Sequence, residues 1–292
     1  MSLLHGTNVD GNNDQAIFRE RTDGRVDLVA REGDLVPGTG GSSAYSSLSE
    51  PVLSAGGQLF FQAKLSDSER YSGIFQETAN TGVVTALLTG DSAPGLSQGT
   101  ELGSFNTPAI NQTNQLAFSV RLDGSRDRVL YKGNIGDDLT PVAKTGDLAP
   151  GTVGDTFQSL ENAKINDRGD IAFIADLEEP NFTFSTRYGL FKTSSDLITT
   201  LVARHGSEAP QTNPGVRFNY FGEHSLSEFG RSAFYAVLEG EGVSLLNEES
   251  IFAQDVHGKL RKIVRQGDLL DVSDDPTAPD FRTIKAFSFT GK

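Results

Sequence analysis

The chain has no cysteine in its 292 residues. That excludes disulfides, thiolate metal sites and cysteine nucleophiles together. At this length none of them is needed, because a chain of about 300 residues buries roughly three quarters of its unfolded surface without staples. Basic charge is also short: 25 Lys and Arg stand against 39 Asp and Glu, a formal charge of −14. Such a field repels nucleic-acid phosphates and anionic membrane surfaces. The longest basic cluster, Lys259, Arg261, Lys262 and Arg265, alternates with apolar residues as a half-exposed strand does. No nucleic-acid partner is expected. No apolar run is long enough to cross a bilayer as a helix, so no membrane insertion is expected. The opening MSLLHGTNVDGN lacks the basic and long apolar segments of a signal peptide. Almost nothing keeps a helical period over more than a few turns. Motifs of the HExxH, GxSxG and phosphate-loop kinds are missing, and His5, His205, His224 and His257 stand at no metal-ligand spacing. The glycine-rich GTGGSS at 38–43 leads into no helix, which leaves it a linker.

In place of these the chain has a period. The octets LTGDSAPG (88–95) and KTGDLAPG (144–151) are nearly identical, and their glycine recurs at Gly33, Gly90, Gly146, Gly206 and Gly267, with spacings of 57, 56, 60 and 61. An aliphatic–aromatic pair keeps the same step at Ile17-Phe18, Ile74-Phe75, Leu130-Tyr131, Leu190-Phe191 and Ile251-Phe252. A third landmark reads LSAGGQLFF at 53–61, INQTNQLAF at 110–118, INDRGDIAF at 165–173 and LSEFGRSAF at 226–234. Period-two alternation, broken at short intervals by turn residues, divides each unit into four short strands. In the third full unit these fall at 157–165, 170–177, 187–193 and 198–204. Gly57, Asn114, Gly169 and Gly230 take the turn position that needs a positive φ.

The expected fold is all-β, one repeat domain over 1–292: a β-propeller of about five four-stranded blades, in units of roughly 57 residues. The units fall near 46–104, 105–156, 157–215 and 216–280. A fifth is assembled from 1–45 and 281–292, so that pairing of the terminal segments closes the ring. The alternative is an open array or a piece of a longer propeller.

INDRGDIAF carries Asn166, Gly169, Ala172 and Phe173 in an NxxGxxAF pattern. In this the chain resembles the bacterial NxxGxxAF tandem-repeat proteins, exported or surface-displayed chains that include choice-of-anchor types. INQTNQLAF has Asn114 in the Gly place. LSAGGQLFF and LSEFGRSAF have Ser in the Asn place, and the first also has Phe60 for Ala. The resemblance implies an extracellular or cell-surface location and transfers no reaction; the alternative is a cytoplasmic chain.

Candidate site residues are of three kinds. Asp34, Asp91, Asp147 and Asp268 follow the recurring glycine; they either close turns or form a ring of carboxylates suited to a cation or sugar hydroxyls. Asp10, Asn12 and Asp14 alternate as calcium loops do, though without the Gly and later Glu of an EF-hand. Tyr71, Phe182 and Tyr188, with Phe184, sit in loops that differ between units, such as SDSERYS (66–72), DGSRDR (123–128) and EEPNFTFSTRY (178–188). Variable loops on a rigid scaffold are where recognition usually resides. The expected function is therefore a non-enzymatic, monomeric binding or display module. Its partner is a glycan or a protein, met through loops on one face, and calcium is a candidate cofactor. The alternatives are a propeller glycoside hydrolase or lyase, which needs two converging carboxylates, and a passive structural repeat.

Overall fold

Residues 2–78, 82–136, 139–178, 187–274 and 277–290 are described in the computed structural model of the chain. Among them there is no helix, and every sheet is antiparallel. One sheet runs Tyr45–Leu48, Leu59–Leu65, Ser72–Thr78, Gly82–Leu88. The next runs Leu102–Phe105, Leu116–Leu122, Arg128–Gly133, Thr140–Lys144. A third contains Thr156–Phe157, Ile171–Glu178, Arg187–Thr193 and Thr199–Arg204, and a fourth Arg217–Leu226, Ser232–Glu239, Glu249–Gln254 and Leu260–Arg265. The expected four-strand unit is thus present four times. Near the N-terminus, Ser2–Leu3, Gln15–Glu20 and Val26–Arg31 form a three-stranded sheet. Two compact units hold these sheets: Met1–Asp147 with Ser159–Asp167, and Leu148–Gln158 with Arg168–Lys292.

The landmarks have separate structural meanings. Between third and fourth strands the register shifts at Ile17/Phe18, Ile74/Phe75, Leu130/Tyr131, Leu190/Phe191 and Ile251/Phe252. The recurring aliphatic–aromatic pair therefore marks a β-bulge, which bends the strand and increases its twist at one place in every unit. The aromatic of that pair faces the last Phe of the third landmark across the sheet: Phe61 opposite Phe75, Phe118 opposite Tyr131, Phe173 opposite Phe191 and Phe234 opposite Phe252. Each pair is stacked, with ring centroids 5.4, 5.8, 5.6 and 5.8 Å apart. A ring from the first strand closes on three of the four edge-on: Tyr45 on Phe75, Phe157 on Phe191 and Phe218 on Phe252. Three-ring clusters of this kind anchor the core.

In the N-terminal sheet the equivalent ring, Phe18, is 42% exposed. Ser2–Leu3 is the strand paired to Gln15–Glu20 there, and it brings no aromatic.

Two sequence expectations are corrected. First strands are broken rather than continuous: the expected 157–165 is Thr156–Phe157 followed by Glu161–Ile165, just as Tyr45–Leu48 is followed by Val52–Leu53 and Leu102–Phe105 by Ala109–Ile110. Pro51 and Pro108 lie at two of these breaks, where a residue without an N–H ends the ladder, while the break after Phe157 has no proline. Arg217–Leu226, which has no proline, stays continuous over two bulges. The C-terminal segment also differs from expectation. Phe281–Thr283 forms a hairpin with Leu269–Asp271, and among the described residues no strand follows it.

The octets are the stitch between units. The glycine amide donates to the first-strand residue of the next unit, and that residue's amide returns a bond to the carbonyl after the glycine. The partners are Gly33 and Asp34 with Tyr45, Gly90 and Asp91 with Leu102, Gly206 and Ser207 with Phe218, and Gly267 and Asp268 with Ile284. Ile284 thus occupies the position that begins a unit elsewhere.

Candidate functional site

In the first compact unit, the variable loops after two second strands converge beside one of these stitches. The loop following Leu59–Leu65 is closed by Leu65 N donating to Tyr71 O (2.9 Å) and turned by Asp67, whose Oδ1 accepts from Glu69 N at 2.8 Å. The loop following Leu116–Leu122 is closed by Leu122 N donating to Asp127 O (2.8 Å), with Gly124 in the left-handed region its turn requires. Asp123 N donates to Glu101 O at 2.9 Å, which places the loop against the inter-unit connection. From there Asp123 Oδ1 accepts the Tyr71 hydroxyl at 3.4 Å, and Arg70 reaches Asp91 at 3.9 Å. Burial pushes the Tyr71 phenol up and the Asp123 charge pushes it the same way, so the hydroxyl keeps its proton and donates.

Two concavities meet at this point. One, of about 450 Å³, is lined by Ser68, Glu69, Arg70, Tyr71, Gly90, Glu101 and Asp123. The other, about 520 Å³, is lined by Gly99, Thr100, Glu101, Leu122, Asp123, Ser125, Asp127 and Lys144. Glu101 and Asp123 belong to both, which makes them one polar groove with a net acidic rim.

A further pocket of about 540 Å³ in the same unit lies among the broken first strands, lined by Val52, Gln62, Phe105 to Ala109 and Glu161 to Lys164. Its one carboxylate, Glu161, accepts from Asn106 Nδ2 (3.1 Å) and lies 3.8 Å from Arg128, which itself donates to Asn106 at 3.2 Å.

The residues singled out in the sequence are placed as follows. Tyr71 lines the groove, and Asp91 lies 3.9 Å from the neighbouring Arg70. Asp91, Asp147 and Asp268 each use one carboxylate oxygen to accept the amide three residues earlier, from Leu88, Lys144 and Arg265, all at 2.8 Å. Asp34 lies 3.7 Å from Arg31. Turn chemistry thus occupies Asp91, Asp147 and Asp268, while Asp34 pairs with Arg31. Tyr188, in the second compact unit, is half-buried, its ring edge-on to His205 and Tyr220 at 6.4 and 6.2 Å. Phe182 and Phe184 lie outside the described residues. Asp10 accepts from Asn12 N at 2.9 Å, within a loop that ends at Asp14. Among the described residues no group of three or more His, Cys, Asp or Glu could hold a metal. Glu101 and Lys144 are the groove residues that sequence reasoning passed over, since neither lies in a variable loop.

Comparison with known proteins adds the following. Residues 1–77 and 66–292 match the profile of a family described as a family of unknown function (DUF7453). No curated protein matches. Among solved structures, the chain is similar to a protein from Lactobacillus plantarum, with 12% identity over 84% of this chain and 75% of that one, at a TM-score of 0.37. It is also similar to an exo-β-1,3-galactanase from Phanerochaete chrysosporium solved with β-1,3-galactotriose, with 10% identity over 82% of this chain and 53% of the galactanase, at a TM-score of 0.36. The chain therefore spans about half the galactanase's length, and likeness at this level decides no activity.

Proposed function

The chain belongs to a family of unknown function (DUF7453), so membership brings no activity with it, and we propose that the protein is a non-enzymatic binding module that recognises a glycan through the groove at Tyr71 and Asp123. The observation that carries this reading is the junction itself: a hydroxyl-bonded tyrosine beside two carboxylates shared by adjoining concavities. Carboxylates accept from neighbouring sugar hydroxyls, while a tyrosine ring offers an apolar face to a pyranose. The acidic rim favours neutral or amino sugars over sulfated or uronic ones. Glu101 and Asp123 are exposed, whereas a glycosidase acid is held protonated by burial opposite a second carboxylate. The pocket at Glu161 supplies one carboxylate, already engaged by Asn106.

Display outside the cell as a monomer belongs to the same proposal, supported by the NxxGxxAF resemblance. Closure of the repeat is a proposal too: Ile284 makes the bonds that begin a unit elsewhere, which suits the residues after it to serve as a first strand. A glycan array, followed by titration of Tyr71→Ala and Asp123→Asn, tests the site. Each variant is expected to weaken binding about tenfold or more, since a hydrogen bond to a charged group contributes roughly 1.5–3 kcal/mol. Binding unchanged in both variants would remove the groove from the account, and silence across neutral and amino sugars would turn it toward a protein partner.

A further inference from the structure

In the first compact unit one buried carboxylate stands where two sister units place a hydroxyl. The residue before the recurring glycine is Glu32, Thr89, Thr145, His205 and Gln266 in turn. Its backbone N–H donates to the equivalent third-strand carbonyl each time: Gln15, Ser72, Arg128, Tyr188 and Glu249. Thr89 spends its hydroxyl proton on the carbonyl oxygens of Ser72 (3.1 Å) and Gly103 (2.9 Å), and Thr145 donates to the Arg128 carbonyl at 3.2 Å. In these two units the slot thus holds a side chain that donates, and Thr145 also accepts from the Arg128 amide at 2.8 Å. Glu32 is an acceptor when ionised; it is 4% exposed, and its Oε2 has no hydrogen-bond partner.

The surroundings supply more oxygen. The loop ending at Asp14 lies over the Glu32–Gly33 turn, so closely that a Cβ on Gly33 would come 3.3 Å from the Asn12 carbonyl oxygen. Hydrogen bonds within the loop hold it in shape: Asn13 N to Asp10 O (3.1 Å), Asp10 N to Asn13 Oδ1 (3.0 Å) and Asn13 Nδ2 to Asn8 O (3.2 Å). Burial pushes the Glu32 carboxyl up, hydrogen bonds from the Gln15 and Asp14 amides oppose this, and the Asp14 side chain, by its charge and by a hydrogen bond to Glu32, adds to the rise. A buried carboxylate beside a second one, with a carbonyl oxygen close to the turn that carries it, favours a positive charge or a shared proton between them.

We propose that Glu32 and Asp14, with carbonyl oxygen from the loop at Asn12, bind a hard divalent cation, calcium by preference. Calcium accepts six to eight oxygens in irregular geometry, whereas magnesium demands a near-ideal octahedron and keeps its waters. This moves the centre of the DGNND motif from Asp10, whose Oδ1 is committed to the Asn12 amide, to Asp14 and a residue 18 positions further along.

The test uses the full chain, stripped with chelator and titrated with calcium chloride by calorimetry, with melting curves in calcium, magnesium and chelator. Expected are one saturable calcium event, a rise in melting temperature of several degrees, and weaker binding by about a hundredfold or more in Glu32→Gln and Asp14→Asn. Lack of heat and of any melting shift in calcium up to about 1 mM, on the scale of weak extracellular sites, would overturn the site. So would a calcium-dependent rise that survives in both variants. A preference for magnesium would overturn the choice of ion, and stabilisation by acid alone would replace the cation with a shared proton.

Discussion

Phe191 and Phe18 hold the same place in the repeat, one after the bulge, yet their surroundings predict different costs for removing them. Phe191 is fully buried, stacked on Phe173 at 5.6 Å and met edge-on by Phe157 at 5.0 Å. Truncation to Ala loses the transfer energy of a whole ring, two aromatic contacts of about 0.5–1.5 kcal/mol each, and leaves a cavity; about 3–5 kcal/mol is expected. Phe18 is 42% exposed. Truncation there leaves no enclosed cavity and forfeits about half the apolar burial, roughly 1 to 1.5 kcal/mol on the transfer scale. Guanidinium unfolding of Phe191→Ala and Phe18→Ala, followed by far-UV circular dichroism and intrinsic tyrosine fluorescence, measures both. The expected result is a loss in Phe191→Ala that exceeds the loss in Phe18→Ala by about 2 kcal/mol or more. Equal losses would show that another segment covers Phe18 in solution, and would refute the assignment of its exposure to a missing ring.

Gly151→Ala should destabilise by about 1–3 kcal/mol, because φ there is +78° and a Cβ would stand 2.9 Å from that of Leu201; denaturant midpoints check it. Removing the turn acceptor in Asp147→Ala should cost about 1 kcal/mol, with Asp147→Asn partly restoring it. Burial pushes the Tyr131 phenol up to about 12. Its raised value contributes stability that is intact below pH 10 and lost as pH rises through 12, so absorbance at 295 nm should show late tyrosine titration whose amplitude drops by one residue in Tyr131→Phe, Tyr45 and Tyr235 being held up by burial as well. Glu32, shifted upward mainly by burial beside Asp14, follows the same sign in chelator: its contribution is present below the ordinary glutamate range and fades as pH rises. Melting temperatures between pH 4 and 8 should therefore fall less in Glu32→Gln than in the parent chain.

The repeat was legible because its landmarks are geometric necessities. A bulge needs its aliphatic–aromatic pair at one place, and the turn position needs Gly or Asn; Asn114 is found at φ 64° and Gly169 at 78°. The Asn and Ser of the third landmark also have a visible task. Asn111 Oδ1 accepts from the amides of Thr113 and Gln115, and Ser54 and Ser227 accept from the amides four residues on. Breaks in the first strands were less legible. Pro51 and Pro108 announce two of them, but register across a break depends on the neighbouring strand. The groove was half legible: loop position singled out Tyr71, whereas Glu101 reaches it through a backbone bond to Asp123 that no motif records. Glu32 escaped notice because its anomaly exists only against Thr89 and Thr145, in a slot visible once the strands are paired.

The most direct measurement is a map of backbone amide shifts on adding the strongest sugar from the array to the labelled chain. The account predicts saturable changes concentrated at residues 68–71, 99–101, 122–127 and 144, and their loss in Asp123→Asn. Changes centred instead on residues 105–109 and 161–164 would place recognition in the pocket at Glu161 and contradict the central claim.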